Sequence, residues 1–479
     1  MKLKKLIKNL SVIQIKGSKE IDITGMTANS KVVSPGNLFL AKKGKTYDGF
    51  QFIPEAVSAG ANAVVTELYD PSLQNVTQIV VKNVQALEGE LASRYYDHPS
   101  DDLFMVGVTG TNGKTTTTFF VKHFLEMMGK PCGVIGTVEY MVGALRYTAT
   151  HTTPDVITNQ RMLREMCLQK CQAAVMEVTS HALDQDRVDK INYDVAIYTN
   201  LSHEHLDYHK TLGEYADAKA KLFTSLTEDA YAVINSDCPW ASRVTGATKA
   251  QKITYGLVSQ ADLQASNIRL NAEGTEISLT WRNESVEAFL PCIGEFNIYN
   301  ALAAAAVPLI RGVNLQEVAS WFSSLPRVPG RLERVKNSHG LSVFVDFAHT
   351  SDALQHALQA VRPLTKGRLY VVFGCGGERD QEKRPIMGSV AEKFADEVIL
   401  TTDNPRKEDP VQILKEISKG LLRSHRIIAD RREAIRTAIA ALQKDDLLLI
   451  AGRGCERSQI FANHLVDFHD PTVAEELCR

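Results

Sequence analysis

The spacing of apolar residues predicts a central region of alternating strands and helices. Stretches with helical periodicity separate short apolar runs, typical of buried strands, at residues 104–108, 173–178, 195–199 and 231–235. This alternation favours a mostly parallel sheet covered by helices on both faces. A polar, alternating stretch at residues 264–290 predicts added antiparallel strands, and an Ala-rich helix is expected at residues 297–309.

The two flanks of this region predict further α/β units. The first hundred residues alternate short apolar runs with turns and carry one helical pattern at residues 53–59. Beyond a Pro/Gly-containing break at residues 325–330, helical segments such as residues 411–422 separate strand candidates at residues 342–347, 369–373, 397–401 and 447–451. For 479 residues we therefore expect an α/β protein of three domains, at residues 1–99, 100–328 and 329–479.

Charge and cysteine content narrow the functional classes. The chain has 54 Lys and Arg against 56 Asp and Glu, so nothing in this balance favours binding of nucleic acid or of an anionic membrane. Its eight cysteines lack metal-ligand spacing and predict reduced thiols, as in a cytoplasmic enzyme; Cys167 and Cys171 are expected on one amphipathic helix. Neither an export signal nor a membrane span is predicted.

The most specific chemical signal is the run Gly-Val-Thr-Gly-Thr-Asn-Gly-Lys-Thr-Thr, which ends at Thr116 between a predicted strand and a predicted helix. Its glycines let successive N–H groups point at phosphate oxygens, Lys114 adds a positive charge, and the hydroxyl of Thr115 can bind Mg²⁺. The run departs from the general phosphate-loop pattern, because Val108 stands where that pattern has its first glycine. It predicts binding of a nucleoside triphosphate; the alternative is a Gly-rich turn that only caps a helix. The candidate phosphate-binding residues are Gly110, Thr111, Asn112, Gly113, Lys114, Thr115 and Thr116.

Polar residues follow two further strand candidates. Glu177 ends one of them, and residues 200–207, with His205, follow the next. Because residues beyond the carboxyl ends of parallel strands line one crevice, both segments are expected to face the phosphate loop, with Glu177 and His205 as candidate metal ligands. The alternative is that the segments only cap helices, through Ser180 and Asp207. On helix geometry alone, Lys219 in the helical stretch 215–223 is expected to be solvated.

The order and spacing of these motifs resemble the Mur ligases, which add amino acids to the UDP-linked peptide precursor of peptidoglycan. The resemblance spans nearly the whole chain and rests on residues 110–116, 177–187, 200–209, 218–219, 294–300, 330–331, 346–349 and 403–410. Ser30-Lys31 followed by residues 35–39 resembles the uridine-binding N-terminal domain of the members that extend UDP-N-acetylmuramoyl-L-alanyl-D-glutamate. Folylpolyglutamate synthases share the phosphate loop and remain an alternative.

The resemblance implies an ATP-dependent amide ligase with an N-terminal uridine-binding domain, a central P-loop-type ATPase domain and a C-terminal Rossmann-like domain. It implies that ATP converts a substrate carboxylate into an acyl phosphate, which an incoming amine then attacks. It further implies two Mg²⁺ ions held by Thr115, Glu177, His205 and Lys219, with Lys219 as N6-carboxylysine. The remaining implied ATP contacts are Asn297, Asn300, Arg331 and Asp346; for the two asparagines the alternative is helix capping.

Substrate contacts are also implied residue by residue. For the UDP-muramoyl dipeptide they are Ser30, Lys45, Thr46, Tyr47, Thr152, Thr153, Thr179, Gln185 and Arg187. For the added amino acid, meso-diaminopimelate, they are Arg379, Asp403, Asn404, Pro405, Arg406, Gly452 and Glu456. An arginine fork at position 406 pairs with the distal carboxylate of diaminopimelate, which lysine lacks, and Glu456 suits the distal ammonium.

Two alternatives and one departure from the family pattern concern the amino acid pocket. L-lysine is the alternative substrate, and the segment from Asp403 to Arg406 is alternatively only an Asx turn before a helix. Arg453 and Cys455 replace the lysine and histidine of a common Gly-Lys-Gly-His-Glu run, and they are expected to alter the rim of the pocket.

Two other functional classes compete with a ligase: a P-loop regulator or motor, and a nucleotide-sugar binding module. The candidate metal ligands and the amino acid pocket favour the ligase over both. The expected partners are small-molecule substrates, with no nucleic acid and no membrane span, and a monomer is expected.

Overall fold

The computed structural model describes residues 1–44, 48–271 and 273–479. Within these ranges, three main sheets follow one another along the chain, each with its own helices and apolar core. The predicted three-part α/β architecture is confirmed. The domain boundaries proposed at residues 99/100 and 328/329 stay predictions.

The N-terminal unit is a small sheet with strand order β1–β5–β4–β3–β2. Strands β2 to β5 run parallel to their neighbours and β1 pairs antiparallel with β5. Its elements are α1 (Leu3–Leu6), β1 (Val12–Lys16), β2 (Gly25–Thr27), β3 (Asn37–Leu40), α2 (Ile53–Ser58), β4 (Ala63–Thr66), β5 (Thr77–Val81) and α3 (Gln85–Tyr95).

The central unit contains the largest sheet, in the order β16–β15–β14–β13–β12–β11–β6–β10–β7–β8–β9. Its strands are β6 (Phe104–Thr109), β7 (Cys132–Ile135), β8 (Glu139–Val142), β9 (Leu145–Thr148), β10 (Ala173–Glu177), β11 (Val195–Tyr198), β12 (Tyr231–Asn235), β13 (Gln251–Gly256), β14 (Leu263–Leu270), β15 (Thr275–Trp281) and β16 (Glu284–Leu290). Its helices are α4 (Lys114–Met127), α5 (Val156–Leu168), α6 (Ser180–Asp184), α7 (Leu206–His209), α8 (Leu212–Thr224), α9 (Ala241–Thr245), α10 (Glu295–Ile310) and α11 (Leu315–Phe322).

Helices cover both faces of this sheet, as its continuous apolar strands require. Helices α4, α10 and α11 bury Phe120, Phe124 and Phe322 against one face, and α5 and α8 bury Leu163 and Leu222 against the other. The antiparallel strands predicted at residues 264–290 are present as β14, β15 and β16. The hairpin of β8 and β9 was not predicted.

The strand order places the candidate chemistry at one point of the sheet. Strand β6 lies between β10 and β11 and runs parallel to both. The chain leaves β6 toward β7, returns to β10 and then crosses to β11, so the strand order reverses at β6. Ligands of open α/β sheets bind beyond the carboxyl ends of the strands at such a reversal. The loop after β6 and the segments after β10 and β11 therefore meet there, as expected.

The C-terminal unit is a second doubly wound sheet, in the order β17–β18–β22–β19–β20–β21, beside the hairpin of β23 and β24. Its elements are β17 (Glu333–Arg334), β18 (Ser342–Asp346), α12 (Ser351–Val361), β19 (Leu369–Phe373), α13 (Lys383–Phe394), β20 (Glu397–Leu400), α14 (Pro410–Ser418), β21 (Arg426–Ile427), α15 (Arg431–Ala441), β22 (Leu447–Ala451), β23 (Ser458–Ile460), β24 (Leu465–Asp467) and α16 (Asp470–Leu477).

Two local predictions are wrong. The helix expected at residues 411–422 ends at Ser418, because Gly420 turns the chain against the backbone of Pro385 and leaves Leu422 93% exposed. Cys171 does not share a helix with Cys167, since α5 ends at Leu168 and a turn precedes Cys171.

Two expectations from the sequence concern the state of the cysteines and the presence of membrane spans. All eight cysteines are free thiols there. None of the described helices combines the length and the apolar character that a membrane span needs.

Candidate active site beyond the central strands

The phosphate loop joins β6 to α4 through two glycines with positive φ angles, +150° at Gly110 and +86° at Gly113. A Cβ on Gly110 would lie 1.9 Å from Thr199 Oγ1, and one on Gly113 would lie 2.3 Å from Asn300 Oδ1. Both positions therefore require glycine on grounds of space and of backbone conformation. Lys114 Nζ donates to the carbonyl oxygens of Gly110 and Thr111, at 3.0 and 2.7 Å.

Gly110→Ala is expected to distort this loop. A non-glycine residue in such a backbone conformation costs about 1–3 kcal/mol, and the added methyl group would also collide with Thr199. We expect a lower midpoint of thermal unfolding and a Kd for ATP raised about tenfold or more, measured by scanning calorimetry and titration calorimetry. Gly129→Ala is the matched control, because Gly129 has a φ of +72° with nothing within 4 Å of the added carbon. An unchanged ATP affinity in Gly110→Ala would contradict the role of the loop.

Thr115 is the junction between the loop, the end of β10 and the C-terminal unit. Its Oγ1 donates to Glu177 Oε2 at 3.0 Å and accepts from Arg331 Nη2 at 3.0 Å. The carboxylate of Glu177 also accepts from the backbone N–H and the hydroxyl of Thr137, at 2.8 and 2.9 Å. Glu177 is thus fixed by three donors and directed at the start of α4.

Lys219 reaches the loop from α8, and the expectation that it is solvated is wrong. Its side chain is 1% exposed, because α8 turns Tyr215, Lys219 and Leu222 toward the sheet. Lys219 Nζ donates to Gly110 O at 2.9 Å and lies 4.3 Å from the centre of the Tyr215 ring. Burial and the charge of Lys114 hold the pKa of Lys219 well below its usual range.

A cluster of histidine and tyrosine rings borders this lysine. The His205 ring lies 4.8 Å from the ring of His181 and 6.1 Å from that of Tyr215, measured between centroids. Burial lowers the pKa of His205 to about 4, reinforced by His181 and Lys114 and opposed by Glu204. The imidazole is therefore neutral near pH 7, which is the form that binds metal ions.

The helix-capping alternative is only partly correct. Thr179, not Ser180, caps α6 by accepting from the N–H of Ala182. His205 occupies the N-cap position of α7 with a positive φ and makes no side-chain cap. The side chain of Asp207 lies outside the described residues.

The donor set fits Mg²⁺ bound together with phosphate. Glu177 and Thr115 carry oxygen atoms of the kind that Mg²⁺ prefers, and His205 carries a neutral nitrogen. Among the described residues, no three His, Cys, Asp or Glu side chains form a group that could hold a metal ion. A cation here would therefore need additional oxygen ligands from the nucleotide or from a modified Lys219.

Residues of the C-terminal unit close over this crevice. Glu204 accepts from His349 Nε2 at 3.2 Å, and Asn112 Nδ2 donates to Asp352 Oδ2 at 3.0 Å. Although burial opposes it, the hydrogen bond from His349 and the charge of Lys114 lower the pKa of Glu204 below its usual range. Together with Arg331 at Thr115, these contacts bring the C-terminal unit directly onto the phosphate loop.

A cavity of about 430 Å³ lies beside the start of α4. Three of the predicted ATP contacts, Thr116, Asn297 and Arg331, line it together with apolar residues that include Phe289 and Ile293. Asn297 Nδ2 donates to Ile293 O at 2.8 Å and does not cap the helix that contains it. The cavity is large enough for a base and a ribose, and its wall combines apolar side chains with polar and charged ones.

Asn300 and Asp346 are the other two predicted nucleotide contacts outside the phosphate loop. Asn300 Oδ1 accepts from Thr117 at 3.4 Å. Asp346 accepts from the N–H groups of Leu332 and Ala348, at 2.7 and 2.8 Å, and burial raises its pKa. Asp346 thereby fixes the segment that carries Arg331.

Five of the predicted contacts to the muramoyl dipeptide lie in one polar cluster beside Glu177. Thr153 donates to Glu177 O and to Thr179 Oγ1, at 2.7 and 3.2 Å. Arg187 donates to Thr153 O at 3.2 Å and to Gln185 Oε1 at 2.6 Å, and Thr152 lies within 3.1 Å of Thr137.

Of the remaining predicted dipeptide contacts, the structure describes only Ser30, which is buried in the N-terminal unit at the start of a short 3-10 helix. Lys45, Thr46 and Tyr47 lie outside the described residues. Helix α5, which follows Thr152 and Thr153, buries Val156 and Ile157 in the core of the N-terminal unit.

One side of the predicted amino acid pocket is cationic. Arg406 has a φ of +53° and donates through Nη1 to Gly377 O at 2.7 Å. Burial and the nearby charge of Arg379 lower the pKa of Arg406, although Asp403 opposes this shift. Two guanidinium groups that repel each other in this way are suited to share a carboxylate. The fully buried Arg384 pairs with Glu408 and Glu416 behind these loops.

The other side of this pocket is anionic. Asn404 Nδ2 donates to Glu456 Oε2 at 2.7 Å. Gly452 lies against Asp403, since a Cβ added to this glycine would be 2.6 Å from Asp403 Oδ2. Pro405 separates Asn404 from Arg406 and is buried. Asp403 accepts from the N–H of the next residue, Asn404. An Asx turn at Asp403 would need the N–H of residue 405, which is a proline, and the next helix begins only at Pro410, so the Asx-turn alternative is wrong.

Arg453 lies behind the pocket and not at its rim, and its effect on the rim stays a prediction. Its side chain is fully buried and donates to Asn404 Oδ1. The neighbouring Cys455 is partly buried, and burial raises the pKa of its thiol.

Several residues of the site were not singled out in the sequence. Thr137 and Tyr215 carry no motif that marks them, and they are recognised only by their contacts with Glu177 and Lys219. His349 lies inside a segment of the family resemblance, and Asp352 lies just beyond it. Their partners Glu204 and Asn112 belong to another unit, so the pairing has no local signal.

Comparisons with known proteins match this architecture. Three family models match in chain order: "Mur ligase family, catalytic domain" over residues 22–96, "Mur ligase middle domain" over residues 108–308, and "Mur ligase, glutamate ligase domain" over residues 330–454. A curated relative from Geobacillus kaustophilus, UDP-N-acetylmuramoyl-L-alanyl-D-glutamate--2,6-diaminopimelate ligase, is 41% identical over 99% of this chain and 98% of its own length.

Solved structures agree with the sequence matches. A structure of UDP-N-acetylmuramoyl-L-alanyl-D-glutamate--2,6-diaminopimelate ligase is 31% identical, covers 100% of this chain and 98% of its own, and has a TM-score of 0.72. MurF ligase from Thermotoga maritima in complex with ADP has a TM-score of 0.65 at 21% identity, over 89% of this chain and 93% of its own. This second likeness bears on the fold alone.

Proposed function

The chain belongs to the Mur ligase family, and on that premise we propose that it joins meso-diaminopimelate to UDP-N-acetylmuramoyl-L-alanyl-D-glutamate with hydrolysis of ATP. The reaction would supply a precursor of peptidoglycan. We propose further that the enzyme acts in the cytoplasm, where UDP-linked precursors and ATP are available, and that it acts as a monomer.

The observation that carries this proposal is the junction at Thr115. The hydroxyl of Thr115 contacts Glu177 of β10 and Arg331 at the start of the C-terminal unit. Glu177 in turn accepts from Thr153 in the proposed dipeptide cluster. A phosphate donor, a carboxylate substrate and an amine brought by the C-terminal unit would therefore meet at a single point, as amide ligation through an acyl phosphate requires.

The chain supplies the charge and geometry for phosphoryl transfer. The loop N–H groups and the N-terminus of α4 would hold the triphosphate. Lys114 would neutralise charge on the transferred phosphoryl group, and Arg331 would approach it from the C-terminal unit. The contacts of His349 and Asp352 across the crevice would exclude water and protect the acyl phosphate from hydrolysis.

We propose that Thr115, Glu177, His205 and Lys219 hold two Mg²⁺ ions, with Lys219 carbamylated. When bound, the ions would neutralise the repulsion between the attacking carboxylate and the γ-phosphate. Lys219 supports the modification, because its buried amine favours the neutral form that reacts with CO₂. A carbamate also supplies oxygen ligands to a crevice in which both Lys114 and Lys219 donate to Gly110 O.

Selectivity for diaminopimelate over lysine is proposed to come from Arg406. The pair of guanidinium groups at Arg379 and Arg406 suits the distal carboxylate, and Glu456 suits the distal ammonium. L-lysine would leave the cationic side of the pocket without an anion, which carries an electrostatic cost.

Arg406→Ala is expected to raise the KM for meso-diaminopimelate roughly thirty- to several-thousandfold, since losing a buried charge pair costs about 2–5 kcal/mol. The KM values for ATP and for the UDP-dipeptide should stay nearly unchanged. Steady-state kinetics with each substrate varied in turn measure this, and Arg436→Ala, an exposed arginine of the same unit, is the control. An unaltered ratio of diaminopimelate to lysine activity in Arg406→Ala would refute the specificity argument.

The proposed reaction is tested by release of phosphate from ATP. We expect rapid release only when the UDP-dipeptide and meso-diaminopimelate are both present, because the acyl phosphate needs a carboxylate to form and an amine to consume it. Release with neither substrate would point to a P-loop motor or regulator, and binding of UDP without any release would point to a nucleotide-sugar binding module.

A further inference from the structure

Arg453 is buried behind the anionic side of the proposed amino acid pocket. Its side chain has no exposed surface, and it donates through Nη1 to Asn404 Oδ1 at 2.7 Å and through Nη2 to Phe468 O at 3.0 Å. The same guanidinium lies 3.7 Å from Glu456 Oε2 and 4.0 Å from Asp470 Oδ1. Burying a charged guanidinium is costly unless it is paired and hydrogen-bonded, so these contacts of Arg453 are the features to explain.

Arg453 and the backbone N–H of Ile460 together determine how the amide of Asn404 is turned. Asn404 Oδ1 accepts from Arg453 Nη1 and from the N–H of Ile460, at 2.7 and 3.0 Å. With two donors directed at this position, the amide oxygen must occupy it, and the amide NH₂ must face the other way. That NH₂ donates to Glu456 Oε2 at 2.7 Å. One carboxylate oxygen of Glu456 is thereby fixed by a relay that begins at Arg453.

The charges around Arg453 leave room for one added cation. Arg431 and Asp470 form a fully buried pair, with Nη2 and Oδ2 2.7 Å apart. Arg453 adds one positive charge, and Asp403 and Glu456 add two negative charges. These five side chains therefore carry one negative charge in excess, counted without Arg379 and Arg406, which form the cationic side of the pocket. An ammonium ion beside Glu456 would balance the group.

We propose that Arg453 is a positioning residue for the distal ammonium of the amino acid substrate. It turns the Asn404 amide so that this amide holds Glu456, and Glu456 then presents its second oxygen to the ammonium. This inference rests on the proposed function, since it assumes that diaminopimelate occupies the pocket. It assigns to Arg453 an effect on the amine end of the substrate and none on the carboxylate end.

The test compares two substrates that differ only at the distal amine: meso-diaminopimelate and 2-aminopimelate, which lacks it. Arg453→Met removes both donors while keeping the bulk of the side chain. We expect its kcat/KM for diaminopimelate to fall about tenfold to a hundredfold, as for loss of a hydrogen bond to a charged group. The kcat/KM of Arg453→Met for 2-aminopimelate should change by less than about threefold, because this substrate has no distal amine. Arg453→Lys keeps one donor for Asn404, so it should retain part of the kcat/KM for diaminopimelate that Arg453→Met loses.

Two further variants separate positioning from stability. Arg431→Lys disturbs the same buried group without touching Asn404 and should affect both substrates to the same extent. Asn404→Leu removes the donor to Glu456 without adding a charge and should repeat the selective loss even where Arg453→Met fails to fold. An equal loss for both substrates in Arg453→Met and in Asn404→Leu would overturn the inference. Wild-type enzyme that ligates neither substrate would instead overturn the proposed function.

Discussion

Replacing Lys114 with alanine is expected to lower kcat for ligation about a thousandfold or more while the protein stays folded. The ammonium group is the loop's own cation at the proposed site of phosphoryl transfer, and no backbone N–H can replace its charge. The fold should tolerate the change, because Lys114 is partly exposed and donates only to carbonyl oxygens of its own loop. Steady-state kinetics measure the loss of kcat, and circular dichroism shows whether the protein stays folded.

Lys122→Ala is the matched control for Lys114. Lys122 lies on the same helix, α4, and pairs with Glu126 away from the loop. Its removal should leave kcat within about twofold, because surface ion pairs contribute little. Activity of Lys114→Ala within about tenfold of wild type would refute the assignment of the phosphate loop.

Lys219→Ala is expected to be inactive and to regain part of its activity with added formate or acetate. The variant loses the carbamate that we propose as a source of metal ligands, and it leaves a cavity beside Gly110 and Tyr215 that a small carboxylate can enter. We expect a loss of about a thousandfold in kcat, comparable to loss of other preorganised electrostatic groups. Activity assays across a series of carboxylate concentrations measure the recovery.

Lys221→Ala provides the control for Lys219. Lys221 is exposed on the same helix and pairs with Asp184 at 3.1 Å. It should keep wild-type activity and show no response to carboxylates. Intact-protein mass spectra or crystal structures of the active, nucleotide-bound enzyme that show an unmodified ammonium at Lys219 would disprove carbamylation.

The elements that carry strong local signals could be predicted from the sequence. Strands β12, β19 and β22 have the predicted bounds, because continuous apolar runs between turns leave few alternatives for a buried strand. The phosphate loop was recognisable because Gly110 and Gly113 adopt conformations that other residues rarely tolerate. The convergence of Glu177 on this loop followed from the common edge of parallel strands.

Lys219 was misjudged although the sequence held the relevant signal. Tyr215, Lys219 and Leu222 follow the i, i+4, i+7 spacing of one helix face, and the other two are fully buried. A lysine within an apolar stripe is a candidate for a functional amine. Because lysines are mostly exposed, helix geometry alone favours a solvated side chain, and only the family resemblance points to Lys219.

Contacts between units could not be predicted from local pattern. Thr115 and Arg331 are 216 positions apart, and Asn112 and Asp352 are 240 positions apart. No propensity or periodicity relates residues at such separations; their approach depends on how whole units pack. The buried position of Arg453 could not be predicted for the same reason. Its acceptors, Asn404 and Phe468, lie in the segments that follow β20 and β24.

The central claim is tested most directly by offering a panel of radiolabelled amino acids to the enzyme with ATP and UDP-N-acetylmuramoyl-L-alanyl-D-glutamate. The panel contains meso-diaminopimelate, L-lysine and L-glutamate, and the product is separated from free label by chromatography. We predict ATP-dependent transfer of label from meso-diaminopimelate to the UDP-linked product, with little from lysine and none from glutamate. Equal use of lysine would contradict the proposed role of Arg406, and no transfer from diaminopimelate would contradict the proposed function itself.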